Sequence, residues 1–80
     1  MKKLVEKSES IENIIAHNLI NYRKSKNQTQ AEFAEYCGIS LYRLKRLESG
    51  QANPTIGSLI EIAGRLGCTT ADLVTDEYFK

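Results

Sequence analysis

Eighty residues with 41% hydrophobic and 26% charged side chains make one globular domain, too short for a second core and too apolar to stay unfolded. A formal net charge of +1 is low for a protein that neutralises a polyanion, so any basic surface must be a local one. No apolar run reaches the ~18 residues of a membrane span. Met1-Lys2-Lys3-Leu4-Val5 leads into Glu6, Ser8 and Glu9 rather than a signal core, which points to a cytoplasmic protein with no membrane partner.

Residues 1–10 mix Lys2, Lys3 and Lys7 with Glu6 and Glu9 and read as a flexible N-terminal arm, more a solvated tail than a basic arm that reaches DNA. Ile11, Ile14, Ile15, Leu19 and Tyr22 then recur at spacings of three and four, the pattern of an amphipathic first helix from Ser10 to about Ser25. Ser8 or Ser10 would cap it, with Glu9 and Glu12 near the positive end of the helix dipole and Arg23 and Lys24 near the negative end. Ile20 falls off the stripe, as a surface residue or part of a subunit contact, and His17 lies on the polar side without a partner at metal-ligand spacing.

Thr29-Gln30-Ala31-Glu32 has the form of a capping box and starts a second helix, whose apolar stripe is Phe33, Ala34 and Cys37. Gly38 follows, where a left-handed residue ends a helix without a side-chain clash, and Ala34 supplies the small side chain needed where two helix backbones approach. Ser40 caps a third helix with Leu44 and Leu47 inside. At about 100° per residue, Tyr42, Lys45, Arg46 and Ser49 share the opposite face, flanked by Leu41 and Arg43. Two short helices around a tight turn make a helix-turn-helix. The face it offers, two cations and an aromatic hydroxyl, suits phosphates and base edges in a major groove.

Gly50-Gln51-Ala52-Asn53-Pro54-Thr55 is a loop by composition, with Gly50 ending the third helix, Pro54 blocking its extension and Thr55 capping the next. Ile56, Leu59, Ala63 and Leu66 mark the core face of a fourth helix that Gly67 ends, with Ile60 an extra apolar residue. Gly57 and Gly64 weaken that helix by up to ~1 kcal/mol each. Thr69-Thr70-Ala71-Asp72 is a second capping box, opening a short fifth helix with Leu73 and Val74. In the tail, residues 76–80, the aromatic pair Tyr78 and Phe79 has no place in such a core, which points to a dimer contact.

Cys37 and Cys68 are too few for a disulfide scaffold and lack the paired spacing of a zinc site, so both read as buried, reduced thiols. With one His and neither a catalytic grouping nor a phosphate-cradling glycine loop, the chain is not expected to be an enzyme or to hold a metal or cofactor. Charge is uneven: residues 20–55 hold Arg23, Lys24, Lys26, Arg43, Lys45 and Arg46 against Glu32, Glu35 and Glu48, whereas residues 56–80 are mostly acidic.

Gln30, Ala34, Gly38, Ile39, Ser40, Leu44, Leu47, Glu48, Gly50, Asn53 and Pro54, in that order and spacing, resemble the helix-turn-helix domain of Cro and lambda-repressor-type regulators. The register continues through Leu59, Ile62, Ala63, Leu66, Gly67 and Leu73. The resemblance implies an all-α, compact five-helix domain over residues 11–75 that binds operator DNA, usually as a homodimer. It implies that Arg23 pairs with Glu48 as a structural ion pair, that Gln30 meets a phosphate, and that Ser40, Leu41, Tyr42 and Arg46 stand at base-reading positions in the helix spanning 40–49. Arg43 and Lys45 would serve phosphates, with Lys45 also able to reach a base edge, and Asn53 lies in a loop that either contacts phosphate or serves the turn alone. Leu41 and Tyr42 are unusual there, and would touch thymine methyl groups or relax base readout. The alternative is a protein-interaction module, such as an antitoxin or anti-repressor component, with Leu41 and Tyr42 in a protein interface.

Overall fold

The computed structural model describes residues 10–76 and 78; the expectations for the N-terminal arm and for Phe79 lie outside the described residues. Five helices follow in order: α1 (Ile11–Ser25), α2 (Gln30–Cys37), α3 (Leu41–Glu48), α4 (Ile56–Leu66) and α5 (Thr70–Leu73). Each starts at a hydroxyl. Ser10, Thr29, Ser40, Thr55 and Thr69 each accept a hydrogen bond of 3.1 Å from the backbone N–H three residues on. Thr29 and Thr69 complete the capping boxes, their own N–H groups donating to Glu32 at 2.9 Å and Asp72 at 3.0 Å.

Four of the five helices also stop alike, α5 excepted, which ends at Val74 with φ −103°. Asn27, Gly38, Gly50 and Gly67 have positive φ, and after each the next N–H donates back to the carbonyl five residues earlier: Arg23, Ala34, Arg46 and Ala63. At two of them space matters as well as φ. A Cβ on Gly38 would lie 2.9 Å from the Arg65 guanidinium, which donates to the Tyr36 carbonyl at 3.0 Å and so braces the turn from α4. A Cβ on Gly50 would collide with the Asn13 side chain of α1.

The stripes meet in one core. Ile15 and Leu19 of α1, Phe33 of α2, Leu44 and Leu47 of α3 and Ile62 of α4 are all buried, and Leu73 of α5 closes the cluster. α1 packs on α3 and α5, and α2 on α3 and α4, so the third helix is seated between the first two. Two residues assigned to apolar stripes are not inside: Ile11 is 52% exposed and Ile56 66%. Both directly follow an N-cap, in a first turn that overshoots the packing partner, so helical periodicity is kept while burial is not. Among the described residues no helix is long and apolar enough to cross a membrane.

Polar side chains join elements far apart in sequence. Asn18, fully buried, donates from Nδ2 to the carbonyls of Leu73 at 2.8 Å and Thr75 at 2.9 Å, and its Oδ1 accepts from the Tyr78 N–H at 3.1 Å. It thereby ties down the end of a four-residue helix too short to persist alone. Arg23 donates from Nε and Nη2 to the two carboxylate oxygens of Glu48 at 2.8 and 3.1 Å, and from Nη1 to the Gln28 carbonyl at 3.1 Å. Gln30 Nε2 adds a third donor to the same carboxylate at 2.9 Å. Glu48 is thus a junction of α1, α2 and α3.

Its side chain is only 4% exposed and that of Arg23 16%, so losing one partner strands a nearly dry charge. Glu48→Ala and Arg23→Ala are each expected to lower unfolding stability by about 3–5 kcal/mol, whereas the two combined should lose less than the sum; a double-mutant cycle in urea measures both. The glycines divide by environment. Gly57 and Gly64 sit within α4 and a Cβ on either meets nothing within 4 Å, so Ala at each should stabilise by roughly 0.5–1 kcal/mol. Gly50→Ala should destabilise by at least about 1–2 kcal/mol in the same assay, from its φ alone.

Candidate nucleic-acid interface

α3 is short, and its sequence divides it cleanly. Leu44, Leu47 and Glu48 are buried, whereas Leu41, Tyr42, Arg43, Lys45 and Arg46 are exposed. Ser40 and Ser49 are its caps, so the span 40–49 is a helix of residues 41–48 between two serines. Lys45 and Arg46 lie in the last turn, where the helix dipole favours cations. Because Glu48 is turned inward onto Arg23 and Gln30, no carboxylate of α3 reaches the exposed side.

The cations on that side are held to different degrees. Arg43 Nη2 donates to Ser58 Oγ of α4. Arg46 Nη2 donates to the Gln51 carbonyl at 3.1 Å, and its Cζ lies 6.0 Å from the centre of the Tyr42 ring. Tyr42 is 72% exposed, the most open of the large apolar side chains described. The Lys45 side chain makes no hydrogen bond or ion pair among the described residues.

A groove of about 320 Å³ runs between α3 and the loop after it, lined by Ser40, Tyr42, Arg43, Arg46, Asn53 and Thr55 among others. The fold therefore gathers Ser40, Tyr42, Arg43, Arg46 and Asn53 on one concave surface. Leu41 and Lys45 are on α3 outside that groove. Gln30 stands apart, since its side-chain amide is already spent in part on Glu48. Sequence reasoning missed Ser58 and Gln51, the two partners that hold the arginines. Ser58 carried no signal beyond lying three residues after a helix cap, and Gln51 contributes only a backbone carbonyl, which no side-chain pattern announces.

The cysteines lie elsewhere. Cys37 is buried, and its thiol is pushed up to about 11 chiefly by burial, with Arg65 pulling it down and Glu48 pushing it further up. Cys68 is half-buried and also raised, by burial and by Asp72. Thiolate, the form that binds metals and attacks disulfides, is disfavoured at both. Both pack as apolar residues against the core.

Comparison with known proteins gives a consistent assignment. A helix-turn-helix family model matches residues 19–73. Over 67 residues the chain is 42% identical to a Vibrio cholerae protein described as the cryptic phage CTXphi transcriptional repressor RstR, covering 79% of this chain; it spans 60% of that protein's length. It is 37% identical over 62 residues to the uncharacterized HTH-type transcriptional regulator y4dJ of Sinorhizobium fredii, with 78% of this chain and 80% of that protein covered. Among solved structures, an HTH_3 family transcriptional regulator from Vibrio cholerae superposes with a TM-score of 0.69 at 31% identity, over 80% of this chain and 35% of that one. A hypothetical transcription factor from Neisseria gives a TM-score of 0.78 over 96% of this chain and 88% of that one, and at 19% identity it speaks for the fold alone. The chain belongs to the Cro/C1-type helix-turn-helix family of transcriptional regulators.

Proposed function

We propose that this chain is a sequence-specific DNA-binding repressor that lays α3 in the major groove and works in the cytoplasm as a homodimer. One observation carries the reading: the exposed side of α3 presents Arg43, Lys45, Arg46 and Tyr42 together, while its single carboxylate is buried and neutralised inside the fold. Such a face is attracted to phosphates and still offers donors to base edges. Lys45, which is unengaged, serves as a phosphate contact. Arg46 reads guanine through the fork of its guanidinium, with Ser40, Leu41 and Tyr42 beside it. Arg43 and Asn53 flank them at the backbone, and the second amide hydrogen of Gln30 remains for a phosphate near the start of α2.

One eight-residue helix reads only a few base pairs, so specificity in a genome calls for a second half-site and a second copy. Exposed Ile56 and Ile60 on α4, and Tyr78 beyond α5, provide apolar surface for that copy. The repressor reading follows the name of the Vibrio relative. Nothing in this reading asks for catalysis or a cofactor.

A second reading rests on the exposure of Leu41 at 38% beside Tyr42, which would suit a protein interface. Salt separates the two. DNA affinity should fall steeply between 50 and 200 mM salt, as expected when several phosphates are neutralised, whereas an apolar protein interface should hold. Lys45→Ala should weaken binding to all duplexes alike and lower the salt slope by about 1, whereas Arg46→Ala should relax sequence preference; salt titrations of binding by anisotropy read both. Salt-insensitive capture of a protein partner, with no duplex bound, would overturn the DNA reading.

A further inference from the structure

The Tyr42 ring and the Arg46 guanidinium stand one helical turn apart on α3, with Arg46 Cζ 6.0 Å from the ring centre. The ring is 72% exposed, so it contributes little to the core, and its presence on the surface has no stabilising account from packing. Arg46 is gripped at two points, by the ring at 6.0 Å and by the Gln51 carbonyl at 3.1 Å. A long, flexible side chain is thereby oriented before any base arrives. One of its five N–H groups is occupied by Gln51, and a pair remains for the O6 and N7 acceptors of a guanine. At 72% exposure Tyr42 still offers apolar ring surface to the one apolar group in the major groove, the thymine 5-methyl. A separation of 6.0 Å spans fewer than two base steps of about 3.4 Å.

We infer that Tyr42 and Arg46 act as a single reading unit. Tyr42 is a positioning residue for the Arg46 guanidinium and at the same time senses a thymine methyl. Each half-site therefore holds a thymine within two base pairs of the guanine that Arg46 reads. This rests on the DNA-binding reading above and narrows it to a particular pair of bases. Tyr42 needs only its ring for the task, since neither contact uses the hydroxyl.

The test begins with selection of bound duplexes from a random pool by the full chain. Affinities follow for the selected duplex, for one with deoxyuridine at the thymine, which removes only the methyl, and for one with 7-deazaguanine at the guanine, which removes N7. They are measured on the unaltered chain, Tyr42→Phe, Tyr42→Ala and Arg46→Ala, each with its thermal unfolding recorded. Deoxyuridine should weaken the unaltered chain and Tyr42→Phe by about fourfold and leave Tyr42→Ala unchanged. Tyr42→Ala should also blunt discrimination against 7-deazaguanine by about two- to fivefold, and Tyr42→Phe should retain it. A ring that merely stabilised the fold would alter unfolding and all affinities together, without this base-by-base pattern. A selected sequence lacking thymine near the guanine, equal binding of deoxyuridine and thymine, or full guanine discrimination by Tyr42→Ala would each overturn the reading unit and leave DNA binding standing. Failure to enrich any sequence would remove the sequence-specific function itself, and the unit with it.

Discussion

The carboxylate of Glu48 is the constraint on which the rest depends. It accepts from Arg23 of α1 and Gln30 of α2 while belonging to α3, so one group sets the three helices against each other. An eight-residue helix is marginal on its own and can rotate about its axis when only two leucines hold it. The forked contact with Arg23 is directional, and it fixes which side of α3 faces out. Desolvating two charges offsets much of their attraction, so the pair's main contribution is orientation rather than net stability. It has an electrostatic consequence too. By drawing the one acid of α3 inward, it leaves a surface of cations that the overall charge of +1 would not suggest.

Chain ends follow a related logic, in which polar groups replace apolar area that a small domain lacks. α5 has four residues, and what holds it is a capping box at its start, Leu73 in the core and Asn18 beyond its end. Arg65 does for the turn between α2 and α3 what Asn18 does for α5, binding the exposed carbonyl of Tyr36. Both are side chains of long helices reaching to the ends of short ones. The helix-turn-helix is therefore braced from α1 at Glu48 and from α4 at the turn.

Local chemistry was legible in the sequence and distant contacts were not. The two capping boxes, the hydroxyl caps and Gly38, Gly50 and Gly67 all lie within a few residues of what they act on, and each is where its pattern placed it. Asn27 ends α1 in the same left-handed way and was not anticipated, because asparagine signals that role more weakly than glycine does. Asn18 reads as a polar residue in an amphipathic helix, and only its contact with Leu73, 55 residues away, makes it a core residue. The Arg23 and Glu48 pairing, 25 residues apart, came from family resemblance and not from spacing. For the candidate interface, the spacing of residues along α3 separates inward from outward side chains, since a regular helix needs no partner to define its faces. It could not indicate that Arg43 rests on Ser58 or that Arg46 rests on Tyr42 and Gln51, because side-chain rotamers answer to neighbours outside the helix.

Those resting contacts bear on how such a surface distinguishes sequences. In the proposed binding mode Arg43 would give up its bond to Ser58 to meet a phosphate, an exchange of one hydrogen bond for another that gains only with a well-placed acceptor, whereas Arg46 would keep its Gln51 contact and donate from its remaining N–H groups. A phosphate anywhere supplies charge, but a base edge must supply geometry as well. The low net charge of +1 acts in the same direction, because it weakens the long-range attraction that makes all DNA alike. A strongly basic version of this surface would bind more tightly and discriminate less. In the proposed binding mode, with both arginines of α3 pre-engaged, affinity would have to be recovered from base contacts, and the burden of recognition would shift to the side chains that hold the arginine fork in place.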